Sequence, residues 1–359
     1  MTSQGEGRQT LNKILIHSTF GANNVLFDPD PMDGTRDAAI LLRQELKRRG
    51  YRLETADDHT VEDCAWVFFY DAPSVRPYGG WRGPDRWVRD RLAGRRRPRN
   101  LYQECRRAGL ERLALFLWEP PSTTPENWNP RLHDRFPLVF TWHDGLVDGK
   151  KYHKIHYPQL RRFPEVPDTP FSQKKLLINI SANKISFHPQ QLYSARRAGI
   201  RHFERSCPDD FDLYGYGWDH LPIGLLRELW PFPVRRYPSY RGTVPRKWDV
   251  MPGYRFSLCY ENIRDEPGYV TEKIFDSMRC GCVPIYWGAS NITDYVNGEA
   301  FVDRRQFGSD QELEDHISGV TEVEYGRYQE AIQAYLHSER FAAFLPPTFV
   351  DTVISVLDL

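Results

Sequence analysis

The sequence carries no net charge and contains few sulfur-bearing residues. Its 359 residues include 48 lysines and arginines against 48 aspartates and glutamates, so charge alone does not indicate a nucleic-acid partner. None of its 6 cysteines forms a CxxC pair, the spacing typical of zinc and redox sites, and this usage favours a reducing compartment. Cys280 and Cys282 stand between a predicted helix and a predicted strand, where we expect them to be small buried fillers.

Long apolar runs are missing as well. A membrane-spanning helix needs about 18 or more consecutive apolar residues, and no such run occurs. The first residues, "MTSQGEGRQTLNK", are polar and do not resemble a signal peptide. We therefore expect a cytoplasmic protein.

The two common phosphate-binding motifs are also absent. The sequence has no GxxxxGK[ST] loop, and no GxGxxG opens its first predicted helix. A nucleotide, if one binds, must be held by other groups.

The sequence does contain a regular alternation of strand and helix patterns. "KILIH" (13–17) is typical of a buried strand, and the helical spacing of "GTRDAAILLRQELKRRGY" (34–51) ends at Gly50. Further strand patterns follow in "CAWVFFYDAP" (64–73) and "RLALFLWEPP" (112–121). This alternation predicts parallel strands with right-handed crossovers in an α/β domain.

A proline-rich connector divides the chain. "RRFPEVPDTPF" (161–171) is the best linker candidate, and strand patterns resume after it, beginning with "KLLINIS" (175–181). We predict an α/β fold with two Rossmann-like domains that face each other across a ligand cleft. The domains span 1–163 and 172–345, and we expect 346–359 to form a helix that packs back on the first domain.

The segment 82–99 is rich in arginine and includes "AGRRRPR". One interpretation is a solvated surface loop. The other is contact with an anionic acceptor or with a membrane surface, which the nearby Trp81 and Trp87 would assist.

Opposite charges stand side by side at a predicted helix start. Glu261 and Asn262 follow an apolar strand, at the carboxyl end where open α/β sheets bind ligands. Thr271 is a suitable N-cap, which places Glu272 and Lys273 in the first helical turn. A helix N-terminus favours phosphate, and the lysine adds a full positive charge. The alternative is a glutamate that only complements the helix dipole and a lysine that is solvated.

These residues belong to a longer pattern. "FSLCYEN" (256–262), "GYVTEKIFDSM" (268–278) and "GCVPIYWGASN" (281–291) together resemble the donor motif of the α-1,3/4-fucosyltransferases, glycosyltransferase family 10. The family pattern is FxLxFEN, a short loop, Y-[VI]-TEK and VP-[VI]-x-x-G, and only Tyr260 departs from it. Shorter matches are "WEPPSTTP", "SARRAGIRHFERSCPDDFDLYG" and "FVDRRQF". The resemblance covers roughly residues 110–310.

The resemblance implies a GT-B-like arrangement, with an N-terminal acceptor domain and a C-terminal GDP-sugar domain. It implies transfer of L-fucose from GDP-β-L-fucose to a glycan hydroxyl, α-1,3 to GlcNAc or Glc, with inversion. Such a reaction needs a base for the acceptor proton and cations for the departing diphosphate.

The resemblance also assigns roles to residues. Glu119 is the expected base, and Arg196 and Lys273 are the expected diphosphate ligands. Arg197 is adjacent to Arg196, which leaves the register open by one residue. Glu272 is expected to bind the ribose hydroxyls. The remaining expected donor-binding residues are Asn262, Tyr269, Ser181 and Asn183.

We expect no metal site and no required cofactor. The pair of aspartates in "DPD" (28–30) is expected to lie in a loop or turn, and stimulation by a divalent cation stays open. The expected partners are a GDP-sugar donor and an oligosaccharide or glycoconjugate acceptor, without nucleic acid. Two alternatives are a transferase that uses another GDP-sugar and a glycan- or nucleotide-binding protein without turnover.

Overall fold

A computed structural model of the chain describes residues 12–18, 21–29, 36–76, 87–88, 91, 99–220 and 237–359. Most of the Arg-rich segment 82–99, Trp81 and the second aspartate of "DPD" lie outside these residues. Asp28, the first aspartate of that pair, ends a short 3₁₀ turn, as expected for a loop.

The first domain is built on a six-stranded parallel sheet. Its order is β2-β1-β3-β4-β5-β6. The strands are β1 Asn12–His17, β2 Tyr51–Thr55, β3 Cys64–Tyr70, β4 Leu113–Leu117, β5 Leu138–Thr141 and β6 Tyr152–Lys154. The helices are α1 Asp37–Arg48, α2 Asp71–Val75, α3 Leu101–Arg107 and α4 Pro130–His133.

This sheet is covered on both faces, which explains its continuous apolar strands. Successive side chains of a strand point to opposite faces. In β1, Ile14 and Ile16 therefore pack in the cluster that contains α1, whereas Leu15 packs in the cluster that contains α3. Helix α1 ends just before Gly50, which has a positive φ of 83°. Glycine adopts this conformation without steric cost, so it ends the helix as predicted.

The second domain contains a five-stranded parallel sheet with the order β11-β10-β9-β7-β8. The strands are β7 Lys175–Ile180, β8 Phe211–Tyr214, β9 Tyr254–Tyr260, β10 Val283–Trp287 and β11 Val302–Asp303. Its helices are α5 Tyr193–Ser206, α6 Glu272–Arg279, α7 Ile292–Tyr295, α8 Asp310–Gly319, α9 Glu322–Leu336 and α10 Glu339–Ala342, and the chain continues into a last helix, α11 Pro346–Leu357. Cys280 and Cys282 are free and buried between α6 and β10, as expected for fillers.

The last helix, α11, packs in the first domain. Phe349, Val350 and Val353 are buried in the same cluster as Leu42 and Leu46 of α1. The chain therefore passes from the first domain to the second and returns to the first at its end.

An aromatic joint connects the two domains. Trp142 follows β5, and its ring centroid lies 4.6 Å from that of Tyr269 in the second domain. Ile263 belongs to the same buried cluster, and Trp128 and Tyr157 pack against it. Beside this joint, the loop after β4 meets the loop after β9. The carboxyl ends of both sheets therefore border one cleft.

Candidate active site

The cleft contains a cavity of 520 Å³ lined by residues of both domains. We call it the central cavity. Seven of the residues predicted from sequence line it: Glu119, Ser181, Arg196, Asn262, Tyr269, Glu272 and Lys273. Further lining residues include Tyr157, Lys184, Tyr216, Thr243 and Lys247. The structure thus brings together side chains that lie more than 150 positions apart in the sequence.

Lys273 is held in place at the start of α6. Its Nζ lies 2.8 Å from Thr271 Oγ1 and 3.1 Å from Glu261 Oε2. Glu261 is fully buried. Burial alone would lower the pKa of Lys273, but the negative charges of Glu261 and Glu272 outweigh it and raise the pKa. The cavity therefore has a fixed cation beside a helix N-terminus, a combination that favours phosphate.

Thr271 occupies the N-cap position of α6, but its hydroxyl does not cap the helix. Instead, the Thr271 hydroxyl donates to Glu261 Oε2 at 2.8 Å, and the Thr271 N–H donates to Glu261 Oε1 at 2.9 Å. Thr271 stands at the predicted N-cap position, but its hydroxyl accepts from Lys273 Nζ at 2.8 Å and donates to the buried carboxylate of Glu261 rather than accepting from a helix N–H group. Thr271 thus belongs to the support of Lys273.

Glu272 is a half-buried carboxylate at the same helix start. Its side chain is 42% exposed, and Oε1 lies 3.6 Å from Lys273 Nζ and 4.0 Å from Lys247 Nζ. Burial opposes ionisation, but Lys273 and Lys247 lower the pKa of Glu272 to about 2. It is therefore an anion at neutral pH, and its oxygens can accept hydrogen bonds from hydroxyl groups.

Arg196 of α5 lies in the wall of the cavity and is only 3% exposed. Its Nη2 donates to the carbonyl oxygens of Tyr260, at 2.5 Å, and Glu261, at 3.1 Å. Burial lowers the pKa of Arg196. Arg197 instead donates from Nη1 to the Lys184 carbonyl oxygen at 2.7 Å, and it does not line the cavity. Of the two neighbouring arginines, the geometry thus places Arg196 at the cavity.

Two carboxyl groups meet on the first-domain side. Glu119 follows β4, and its N–H donates to Asp71 Oδ1 at 3.2 Å. The same oxygen accepts from Trp118 N–H at 2.8 Å and from Asn127 Nδ2 at 2.5 Å. Burial, followed by the charge of Glu119, raises the pKa of Asp71 to about 7. Asp71 has a positive φ of 60°, which is uncommon for a residue other than glycine.

The sequence-based reasoning did not identify Asp71. It could have done so, because this aspartate directly follows the buried strand β3, at the carboxyl end where Glu119 follows β4. No comparable signal marks Tyr157 or Lys247. Each of them reaches the cavity from an irregular segment or a short 3₁₀ turn.

Of the other predicted residues, Asn262, Tyr269 and Ser181 line the central cavity and Asn183 does not. Asn262 Nδ2 lies 3.4 Å from the Tyr269 hydroxyl, and Tyr269 is 2% exposed. Ser181 Oγ donates to Asn179 Oδ1 at 2.6 Å. Asn183 does not line the cavity, because its Nδ2 donates to the Gly217 carbonyl oxygen at 3.1 Å and so holds the neighbouring loop.

A family model described as glycosyltransferase family 10 (fucosyltransferase) C-term matches residues 240–341. Residues 240–341 are thus similar to the C-terminal part of the glycosyltransferase family 10 proteins. This segment contains Asn262, Tyr269 and the start of α6, which line the central cavity, and Glu261, which holds Lys273.

Curated relatives match over similarly short segments. This chain is 44% identical over 81 residues to an α-(1,4)-fucosyltransferase of Arabidopsis thaliana, which is 22% of this chain and 20% of that protein. It is 37% identical over 89 residues to the α-(1,3)-fucosyltransferase FucT of Helicobacter pylori, which is 24% of this chain and 18% of that protein. The match thus spans about a fifth of the length of these relatives.

Solved structures resemble the chain over nearly its whole length. A crystal structure of an α1,3-fucosyltransferase matches with a TM-score of 0.55 and 12% identity, over 100% of this chain and 93% of that one. An α-glucosyltransferase in complex with UDP-glucose and DNA matches with a TM-score of 0.52 and 9% identity, over 97% and 99%. These likenesses establish the fold, and the prediction of an α/β GT-B arrangement is confirmed.

Two searches of the described residues gave no match. In this part of the chain, no group of three or more His, Cys, Asp or Glu side chains is placed to hold a metal ion. Within the same residues, no helix combines the length and the hydropathy needed to cross a membrane.

Proposed function

We propose that the protein transfers L-fucose from GDP-β-L-fucose to a hydroxyl group of a glycan, with inversion at the anomeric carbon. One observation carries this proposal. Glu119 of the first domain and the set Arg196, Glu272 and Lys273 of the second line the same cavity. A base and a cationic diphosphate site must face one substrate for a single displacement to occur. The similarity of residues 240–341 to the family 10 model supports fucose as the sugar.

In the proposed reaction, the acceptor hydroxyl loses its proton to the carboxylate of Glu119 as its oxygen bonds to C1 of fucose. The bond between C1 and the β-phosphate oxygen breaks, and its electron pair leaves with GDP. Lys273 and Arg196 stabilise the negative charge that develops on the diphosphate. Glu272 accepts hydrogen bonds from the ribose hydroxyls. Carbonyl contacts and Glu261 hold these two cations before the donor binds, so little reorganisation is needed.

The donor is tested by incubating the protein with GDP-fucose or GDP-mannose and a set of glycan acceptors. We expect transfer from GDP-fucose only. Consumption of GDP-mannose alone would instead support the alternative, a transferase for another GDP-sugar.

The role of Glu119 is tested with Glu119→Gln, which keeps the size of the side chain and removes the base. We expect kcat to fall by roughly a hundredfold or more, with GDP affinity unchanged within about twofold. A variant with full activity would exclude Glu119 as the base.

The proposal includes a reaction without a required metal, because Lys273 and Arg196 supply the positive charge that a divalent ion would otherwise provide. Activity should persist in EDTA, and a complete loss that Mg²⁺ restores would contradict this point. The remaining elements of the proposal are α-1,3 linkage to GlcNAc or Glc and a cytoplasmic site of action. An array of acceptors followed by linkage analysis tests the first, and fractionation of the native cells tests the second.

A further inference from the structure

A second cavity, of 360 Å³, adjoins the central cavity. Three residues, Glu119, Tyr157 and Glu272, line both cavities. The expected base therefore stands at their junction. A ligand in the second cavity and a ligand in the central cavity would meet at this carboxylate.

The walls of the second cavity are largely apolar. Trp118 and Phe349 line it, together with Leu26, Ala38 and Ala39. Leu26, Ala38 and Ala39 line the second cavity but not the central cavity. Aromatic side chains bind the C–H faces of sugars as well as other apolar groups, whereas leucine and alanine side chains offer only apolar contact. These walls suit a ligand whose part beyond the reacting sugar is apolar.

The ionisable groups of this cavity are all acidic. The carboxyl groups of Asp71, Glu119, Glu272 and Asp276 line it, and none of the described lining residues is cationic. Lys247 pairs with Asp276 at 2.5 Å, but it lies in the wall of the central cavity. Lys247 and Lys273 thus offset the charges of Asp276 and Glu272 from the neighbouring wall, but a negatively charged ligand would enter a largely apolar cavity whose own described lining offers it no cation.

We propose that the second cavity binds the acceptor, and that the acceptor is an uncharged glycoside whose apolar aglycone packs against Trp118, Phe349 and Ala39. This inference rests on the proposed function for the identity of the donor. It goes further by stating the chemical class of the acceptor, which excludes acceptors with an anionic group next to the reacting sugar.

The decisive experiment compares ligands that differ by one group. The probes are the propyl and 2-carboxyethyl β-glycosides of N-acetyllactosamine and of lactose, which are similar in size. Binding to the full chain in the presence of GDP is measured by saturation-transfer NMR. For at least one sugar, we expect the propyl glycoside to bind about tenfold or more tightly than its carboxyethyl partner, with strong saturation of the propyl protons. Equal binding of the two glycosides for both sugars, or tighter binding of the carboxyethyl glycoside, would overturn the inference.

A pair of variants then tests whether the glycoside binds in the second cavity. Ala39→Leu adds bulk to the wall, and Gln44→Leu adds a leucine to an exposed position of the same helix as a matched control. We expect Ala39→Leu to weaken binding of the propyl glycoside by about tenfold, while GDP affinity stays unchanged in both variants. Hydrogen exchange in α1, compared between the two variants and the native protein, shows whether the first domain remains folded. Equal effects of the two substitutions on glycoside binding would contradict the placement.

The two proposals fail in different ways. If the propyl glycoside binds preferentially but GDP-fucose is never consumed, the acceptor cavity stands and the proposed reaction is wrong. If fucose is transferred with no preference between the paired glycosides, the reaction stands and the acceptor class is wrong.

Discussion

Asp71 provides a sharp test of the site, because its ionisation can be removed with almost no change in shape. The substitution Asp71→Asn keeps an oxygen that can accept from the N–H groups of Trp118 and Glu119 and from Asn127 Nδ2. The NH₂ group of the asparagine side chain can donate a hydrogen bond, as the protonated carboxyl does. The variant therefore mimics the neutral form of Asp71 at every pH.

The size of the effect follows from the pKa of Asp71, which is raised from 3.8 to about 7 by burial and by the charge of Glu119. The folded protein holds this proton more tightly than the unfolded chain does. The resulting stabilisation is fully present below about pH 4 and is lost as the pH rises through about 7. With these two pKa values, the loss between pH 5 and pH 8 is about 2.5 kcal/mol. The variant should lack this loss.

The assay is urea unfolding of the native protein and the variant at pH 5 and at pH 8. We expect the variant to be more stable than the native protein at both pH values, and its advantage to grow by about 2.5 kcal/mol between pH 5 and pH 8. Difference infrared spectroscopy should also show a buried protonated carboxyl that disappears near neutral pH in the native protein only. A difference in stability that does not change with pH would refute the reasoning.

Asp212→Asn is the matched control, for which we expect a change in the free energy of unfolding of the opposite sign. Asp212 is buried as well, but hydrogen bonds from Lys175, Tyr254 and Arg241 outweigh burial and lower its pKa. Its carboxylate therefore contributes stability above the pKa of the unfolded chain, and that contribution is lost as the pH falls. Asp212→Asn should destabilise the protein at pH 8 and less so at low pH, whereas Asp71→Asn should stabilise it at pH 8.

Three further predictions concern the second-domain wall and the last helix. Lys273→Met should weaken GDP binding by at least about tenfold and lower the free energy of unfolding by about 3–5 kcal/mol, because buried Glu261 loses its cation; titration calorimetry and urea unfolding measure the two effects. Arg196→Met should weaken GDP binding more than Arg197→Met in the same calorimetric assay, and equal losses would contradict the position of Arg196 in the wall. Phe349→Ala should destabilise the first domain by about 3–5 kcal/mol without changing GDP affinity, and hydrogen exchange in α1 reports this directly.

Much of the fold could be predicted because the buried strands of a parallel sheet produce a recognisable local sequence pattern. Each central strand is a short apolar run, as in "LALFL" of β4, and each helix between strands has its own period. The charged positions of the second-domain wall could be predicted for a similar reason. Asn262, Glu272 and Lys273 lie within one strand–loop–helix unit, so their spacing in sequence fixes their relation in space.

The rest of the site depends on contacts that no local pattern contains. Tyr157 and Lys247 come from irregular segments, and their positions follow from how the two domains meet. The contacts of the Thr271 hydroxyl could not be predicted from sequence, because they depend on the buried carboxylate of Glu261, ten residues away, and on Lys273 Nζ. Asn183 lies outside the cavity because the loop after β7 uses its amide to bind the Gly217 carbonyl oxygen.

The return of α11 to the first domain determines how this protein can be divided. A fragment that stops within the connector at 161–171 would lack Phe349 and Val353. The apolar surface of α1 that these side chains cover would then be exposed to water. The complementary fragment would carry α11 without a surface to cover its apolar face, which favours aggregation. Because two crossings join the domains, a single proteolytic cut in the connector would leave them associated through α11. Two chain segments, the connector and the segment that leads into α11, therefore link the domains. This double link allows the cleft to open and close more readily than it allows one domain to rotate freely against the other.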